Sequence, residues 1–388
     1  MSKFLFVVPP LAGHANPAAA VGRALSERGH EVAWVGPESF LRPVLGPDAT
    51  IHRTGMRVYR GLRDTGTTAG QAFLDGYVLP LARFIIGAVD RAVESFEPDV
   101  LVVDQHAVAG ALVAFRRGIP WAGLLPSSMA LHQDRSADFD SWVSGPLAKL
   151  CVEHGLPEID PLSVLYSPHL QVAFTTTALT GPVDVPPHVV LVGPAIAERP
   201  DDVPFPLDWL DPARRHVLVT VGTLNVDVAA DFHRRVVDAL DGERVQGIVA
   251  APADSLPDLP EHVLAIPRVP MFDLLPHMDA VVCHGGLNTV CEALSHGVPL
   301  VVAPITLDQP ITAGQIVRAG AGIRVDFGTA SSAELSGVIE AVLSEPSYRD
   351  AAHRVGESFR AAGGAPVAAQ HLEELATGHP SRPDPDSL

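Results

Sequence analysis

The same local pattern runs through the chain twice. A short buried-type apolar run ends in a glycine or proline loop, a helical segment follows, and another apolar run comes next. Phe4 to Val8 is the first run, AAAVGRALSERG closes at Gly29, and EVAWVG follows. Strand, helix, strand within about 35 residues is a βαβ unit, which requires a parallel sheet. The pattern returns in PDVLVVDQH, AGALVAFRRG and IPWAGLLPS, and QVAFTTT and HVVLVGP complete the first half. Glu198 to Arg215 is rich in Pro and Asp and has no steady apolar period, so it is expected to be a linker. Beyond it the alternation restarts with HVLVTVG and DFHRRVVDALDG, and it continues through DAVVCH, TVCEALSHG, PLVVAP, TAGQIVRAG and GIRV. The expected class is α/β, with two Rossmann-like parallel-sheet domains facing across a cleft. Their boundaries are 1–198, a linker at 199–215, and 216–377. A last helical region, split at Gly363-Gly364, leads to a tail at 378–388 expected to be disordered.

Composition narrows the chemistry. The net charge of −18 disfavours a nucleic-acid partner, since phosphate backbones are held by clustered Lys and Arg. An anionic small ligand would therefore rely on local devices such as helix N-termini. The three cysteines, Cys151, Cys283 and Cys291, form no CxxC pair or zinc pattern, so a reducing, cytoplasmic setting is expected. No apolar run is read as long enough to span a membrane, and the start is read as a core strand rather than a signal peptide.

Ligands of open parallel sheets sit beyond the carboxyl ends of the strands, and two groups of polar residues fall there. His14 lies in the loop after the first strand, which is expected to reach Asn16 as N-cap, with Pro17 in the first helical turn. Asp104 ends the strand VLVVD. A carboxylate on one ring nitrogen orients an imidazole and makes it more basic, which suits a general base. A polar loop histidine and a helix-capping aspartate would read the same way in isolation. In the second half, His284-Gly285-Gly286-Leu287-Asn288-Thr289 joins a buried strand to a helix. Glycines admit a phosphate close to the backbone, and the helix start offers unpaired N–H groups. Glu292 fits a ribose-hydroxyl ligand or a plain helix-start acid. Asp308 and Gln309 fit sugar-hydroxyl ligands or a polar loop, and the Val221-Gly222-Thr223 turn could reach phosphate. No GxxxxGK[ST] occurs, and no GxGxxG follows a strand.

These residues resemble the UDP-glycosyltransferase family of GT-B fold, which includes plant secondary-metabolite and bacterial macrolide and antibiotic glycosyltransferases. GHANP, RGHEV (Arg28 to Val32), LVGP (Leu191 to Pro194) and above all the stretch from Arg268 to Gln309 carry the resemblance. It implies His14 as base and Asp104 as its partner. It implies His284, Asn288 and Thr289 at the diphosphate, and the glycine turns add Gly286 and Thr223 as further expected contacts. It places Glu292 at the ribose, Asp308 and Gln309 at the sugar, and Arg268 with Val269 at the base. It also implies an inverting, metal-independent transfer with no cofactor. The co-substrate is a UDP-sugar or dTDP-sugar, the uridine favoured by Glu292, and the acceptor is a small apolar molecule. A homodimer is compatible with it. The departures are Arg268 where many members stack a Trp, Met271 for a common Gln, and Leu287 for a common Trp. A decayed nucleotide-sugar binder and a GT-B epimerase or hydrolase remain as alternatives. The irregular stretches Met56 to Leu81 and Ser127 to Leu170 carry Tyr59, Phe73, Tyr77, Phe139, Trp142 and Tyr166, which would line an acceptor pocket or fill core.

Overall fold

The computed structural model describes residues 1–57, 66–131, 137–196, 204–222, 226–252 and 255–378. In the first half the elements run β1 (Lys3–Val7), α1 (Ala12–Glu27), β2 (Glu31–Gly36), α2 (Glu38–Leu45), β3 (Thr50–Arg53), α3 (Gly66–Phe73), α4 (Leu79–Phe96), β4 (Val100–Asp104), α5 (Ala109–Arg117), β5 (Trp121–Leu125), α6 (Ala137–Glu153), β6 (Leu170–Ala173), α7 (Thr177–Thr180) and β7 (Val189–Leu191). The second half has β8 (Arg215–Thr220), α8 (Val226–Ala239), β9 (Val245–Ala250), β10 (Val263–Ile266), α9 (Met271–Leu274), β11 (Ala280–Cys283), α10 (Leu287–Ser295), β12 (Leu300–Val302), α11 (Gln309–Ala319), β13 (Gly322–Arg324), α12 (Ser332–Ser344), α13 (Pro346–Ala362) and α14 (Gly364–Gly378).

Both sheets are parallel throughout. The first runs β3-β2-β1-β4-β5-β6-β7 and the second β10-β9-β8-β11-β12-β13. Each order reverses direction once, between β1 and β4 and between β8 and β11. That reversal opens a crevice at the carboxyl edge of each sheet. The central strands are buried on both faces, which explains their continuous apolar runs. The last helix does not stay with the second sheet. Ala365, Ala368, Ala369, Leu372 and Leu375 of α14 share a core with Phe4, Phe6 and Leu25 of the first. The chain makes this return where Gly364 N–H donates to Val192 O at 2.6 Å. Glycine is needed there: Gly364 has φ +60, and a Cβ on it would lie 2.8 Å from Pro194 O.

Three expectations need correction. The first helix begins at Ala12, not near Asn16, because the carbonyl of extended Leu11 already accepts from His14 N–H and Ala15 N–H. Pro17 is therefore an interior residue of α1. The stretch read as irregular before Leu81 is mostly helix. α3 continues through a wide π turn, Leu74–Val78, into α4. The resulting helix, Ala69–Phe96, is long and apolar enough to cross a membrane by length and composition, and more than half of its apolar stretch is buried inside the protein. β8 begins at Arg215, the residue assigned as the end of the linker. Residues 199–203 of that linker and the tail from residue 379 lie outside the described residues.

Candidate active site

Val7 of β1 pairs with Val103 of β4, so the two chains leave the sheet side by side at the reversal point. From there α1 presents His14 in its first turn and β4 ends on Asp104. His14 Nδ1 lies 3.0 Å from Asp104 Oδ1 and 2.8 Å from Oδ2. The carboxylate oxygens accept, so the pair holds the ring with Nδ1 turned to Asp104 and Nε2 on the far side of the ring. Asp104 is fully buried, whereas the His14 side chain retains 15% exposure, enough for contact from the cleft. A backbone turn fixes the carboxylate: His106 N–H donates to Asp104 Oδ1 at 2.9 Å and Ala107 N–H to the Asp104 carbonyl at 2.8 Å.

Sequence reasoning missed His106. Its ring lies 4.5 Å from that of His14 and edge-on to Phe73 at 4.9 Å. Burial, and then the neighbouring His14, push its pKa well below the ordinary value, so it is a neutral filler between the base and the aromatic side chains. The available signal was its place two residues after a strand-ending aspartate. His14, Asp104 and His106 also form a cluster whose ligand atoms lie within 4.8 Å of one another, so a metal could be held there. Asp104 already spends both oxygens on hydrogen bonds.

The second crevice is built the same way. Thr220 of β8 pairs with Cys283 of β11, which puts the Gly222 turn beside His284. The imidazole lies between two glycines. A Cβ on Gly222 would sit 2.8 Å from its Cε1, and one on Gly286 2.7 Å from its Nε2. Burial lowers the His284 pKa to about 4, partly offset by the Thr220 backbone, and its Nδ1 is buried without a hydrogen-bond partner. A buried orphan ring nitrogen costs stability unless a ligand uses it. α10 then starts at Leu287 behind Gly286, with no side-chain cap and no acid in its first turn. Its free N–H groups and positive dipole end make an anion seat.

Asn288 and Thr289 stand half-buried at this helix start. Asn288 Nδ2 also donates across the domains to Gly13 O at 3.1 Å. This bond sets the α10 start beside the residue preceding His14. Glu292 is buried, with 5% exposure, one turn further on. Gln309 departs from its expected use. Its Oε1 accepts from Ile305 N–H at 2.8 Å and Thr306 N–H at 3.0 Å, so that oxygen shapes the loop. Asp308 is half-exposed and stands at the N-cap of α11. Arg268 is exposed, Val269 packs partly buried in the second core, and Thr223 lies outside the described residues. Of the aromatic residues, Phe73 and Tyr77 are buried in the first core and half-buried Trp142 packs on it. Tyr166 is half-buried, while Tyr59 and the Phe139 side chain lie outside the described residues.

Known proteins share this architecture. Residues 234–375 match the erythromycin biosynthesis protein CIII-like, C-terminal domain. The chain is 29% identical to 4'-demethylrebeccamycin synthase of Lentzea aerocolonigenes, over 93% of this chain and 96% of that protein. It is also 29% identical to demethyllactenocin mycarosyltransferase of Streptomyces fradiae, over 97% and 87%. Spinosyn rhamnosyltransferase SpnG complexed with thymidine diphosphate superposes with a TM-score of 0.76 at 23% identity, covering 96% of this chain and 100% of that one. With two parallel sheets of the GT-B arrangement, an EryCIII-like domain at 234–375 and glycosyltransferases as relatives over nearly its whole length, the chain is a glycosyltransferase similar to those of macrolide and antibiotic biosynthesis.

Proposed function

We propose that the protein transfers a sugar from a nucleoside diphosphate to a hydroxyl of a small apolar natural product, with inversion at the anomeric carbon. The observation that carries this reading is the 2.8 Å His14–Asp104 pair, set beside the open start of α10 by the Asn288–Gly13 bond. His14 Nε2 takes the acceptor proton as its oxygen attacks the anomeric carbon. The bond to the diphosphate oxygen breaks on the opposite face, which inverts the centre. The departing charge is met by the α10 N-terminus and its backbone N–H groups, with His284 beside them. This scheme calls on no metal ion or cofactor. Asp104 keeps the Nδ1 proton in place and offsets the imidazolium charge.

Glu292 supports uridine as the nucleotide, because a ribose 2′-hydroxyl gives it a partner that a deoxyribose lacks. A second reading, a thymidine donor, has its own support in the thymidine diphosphate complexed with SpnG. Three free, buried thiols fit a reducing compartment. The test is diphosphate release from UDP-glucose and dTDP-glucose with and without a panel of phenolic and macrolide acceptors. Acceptor-dependent release of UDP or dTDP with a β-linked product from an α-linked donor is expected. Release that ignores the acceptor would point to a hydrolase, and binding without release to a sugar-binding protein.

A further inference from the structure

Leu307 stands immediately before Asp308 with φ +56. The other described non-glycine residues with positive φ are Glu97, the left-handed cap of α4, and Asp258, exposed in a polar loop. A leucine there has no polar side chain to repay the cost, about 1–2 kcal/mol. Such strain persists where the surroundings enforce it, and it concentrates at functional sites. Two features enforce it here. Gln309 Oε1 ties down Ile305 N–H and Thr306 N–H just before it. The Leu307 side chain itself packs against the core of the first domain, although the residue belongs to the second; among the described residues, the other partly buried side chains on that core come from the first domain.

That core includes Leu11, Phe73, Tyr77, Ala107 and Val108. Leu11 precedes α1 and its base, Ala107 and Val108 follow Asp104, and Phe73 packs edge-on to His106. Tyr77 sits in the π turn Leu74–Val78, a departure from regular helix common at functional sites. A strained apolar side chain from the sugar loop thus packs on the core whose members also flank the base.

We propose that Leu307 is a specificity-determining residue: the donor domain's hydrocarbon wall of the acceptor pocket, closing it over an apolar aglycone. This rests on the reading of Asp308 and Gln309 as the sugar loop. Water or a polar acceptor gains nothing from that wall, whereas an apolar ring system loses roughly tenfold or more in apparent affinity when it is removed.

The test compares Leu307→Gly, Leu307→Asn and Leu307→Met with the parent. Glycine and asparagine tolerate positive φ, so both remove the apolar group without adding strain. Expected are UDP and dTDP affinities within about twofold of the parent, and a thermal midpoint unchanged or raised. The KM for 4-methylumbelliferone and larger phenols should rise roughly tenfold in the glycine and asparagine variants, with more donor hydrolysis per transfer, while methionine retains the parental values. Unchanged acceptor KM in both polar-permissive variants would overturn the proposal, as would a fall in thermal midpoint without any change in acceptor preference. If the parent transfers to no acceptor of the phenol and macrolide panel, the proposed acceptor class fails on its own account. Hydrogen exchange then still decides this one: amides of Phe73–Val78 should exchange faster in Leu307→Gly, and equal rates would refute the contact.

Discussion

Asn288 Nδ2 donates to the carbonyl oxygen of Gly13, 3.1 Å away in the other domain, and Pro17 is the reason that carbonyl is available. In a regular helix Gly13 O would accept from the N–H of residue 17, but proline has none. The bond therefore joins an interruption in one helix to the open start of another. Pro17→Ala supplies the missing N–H and relieves the helix. The expected result is a higher thermal midpoint together with nucleotide binding weakened a few-fold, opposite signs that calorimetry and thermal denaturation separate. Asn288→Ala should weaken nucleotide binding by about tenfold, the scale of one net hydrogen bond, with little change in stability.

The cradle of His284 gives a sharper test of the anion seat. A methyl on either Gly222 or Gly286 would collide with the imidazole at under 3 Å. Gly222 is the more constrained of the two, because its φ of +73 adds backbone strain. Gly286→Ala should displace the ring and cost diphosphate affinity about tenfold or more while the circular dichroism spectrum stays native. Gly222→Ala should do the same with an added loss of stability of about 1 kcal/mol.

Acid should destabilise the second domain in a defined window. His284 and His233 are both buried, and burial holds both near pKa 4, below the ordinary value of 6.5. The unfolded chain therefore binds more protons than the folded one between those values. The stability these two neutral rings contribute is intact above about pH 6.5 and is lost as pH falls toward 4. The upper bound is about 3 kcal/mol for each ring. His233→Phe should flatten the decline in denaturation free energy between pH 6.5 and 4. A bound diphosphate should raise the His284 pKa, so calorimetry at pH 5.5 in buffers of different ionisation enthalpy should show proton uptake on UDP binding.

The two parallel sheets were legible because buried strands such as VLVVD and AVVC are uniformly apolar and end on polar residues. Strand ends placed His14 and Asp104 on one crevice, but the pair read equally as a loop histidine and a capping aspartate until the second half and the family resemblance gave it weight. The start of α1 was not legible: Pro17 suggested a first turn, while Leu11's backbone had already begun the helix. Nor was the Ala69–Phe96 helix, whose Gly76, Pro80 and Gly87 break the sequence pattern without breaking the backbone. His106 escaped notice because its tie to Asp104 runs through its backbone N–H, which no side-chain pattern records. Gln309 looked like a free sugar ligand because its role in bracing the Ile305–Thr306 backbone depends on a turn visible only in three dimensions.

Transfer of a proton from the acceptor to residue 14 is the step on which the rest depends. Single-turnover rates with saturating donor should be compared for the parent, His14→Ala, Asp104→Asn and the double variant. Each single change should slow transfer by about 10²–10⁴-fold with UDP or dTDP affinity retained, and the double variant should be little slower than His14→Ala, since the carboxylate acts only through the imidazole. Near-parental transfer by His14→Ala, or full additivity of the two losses, would contradict the account.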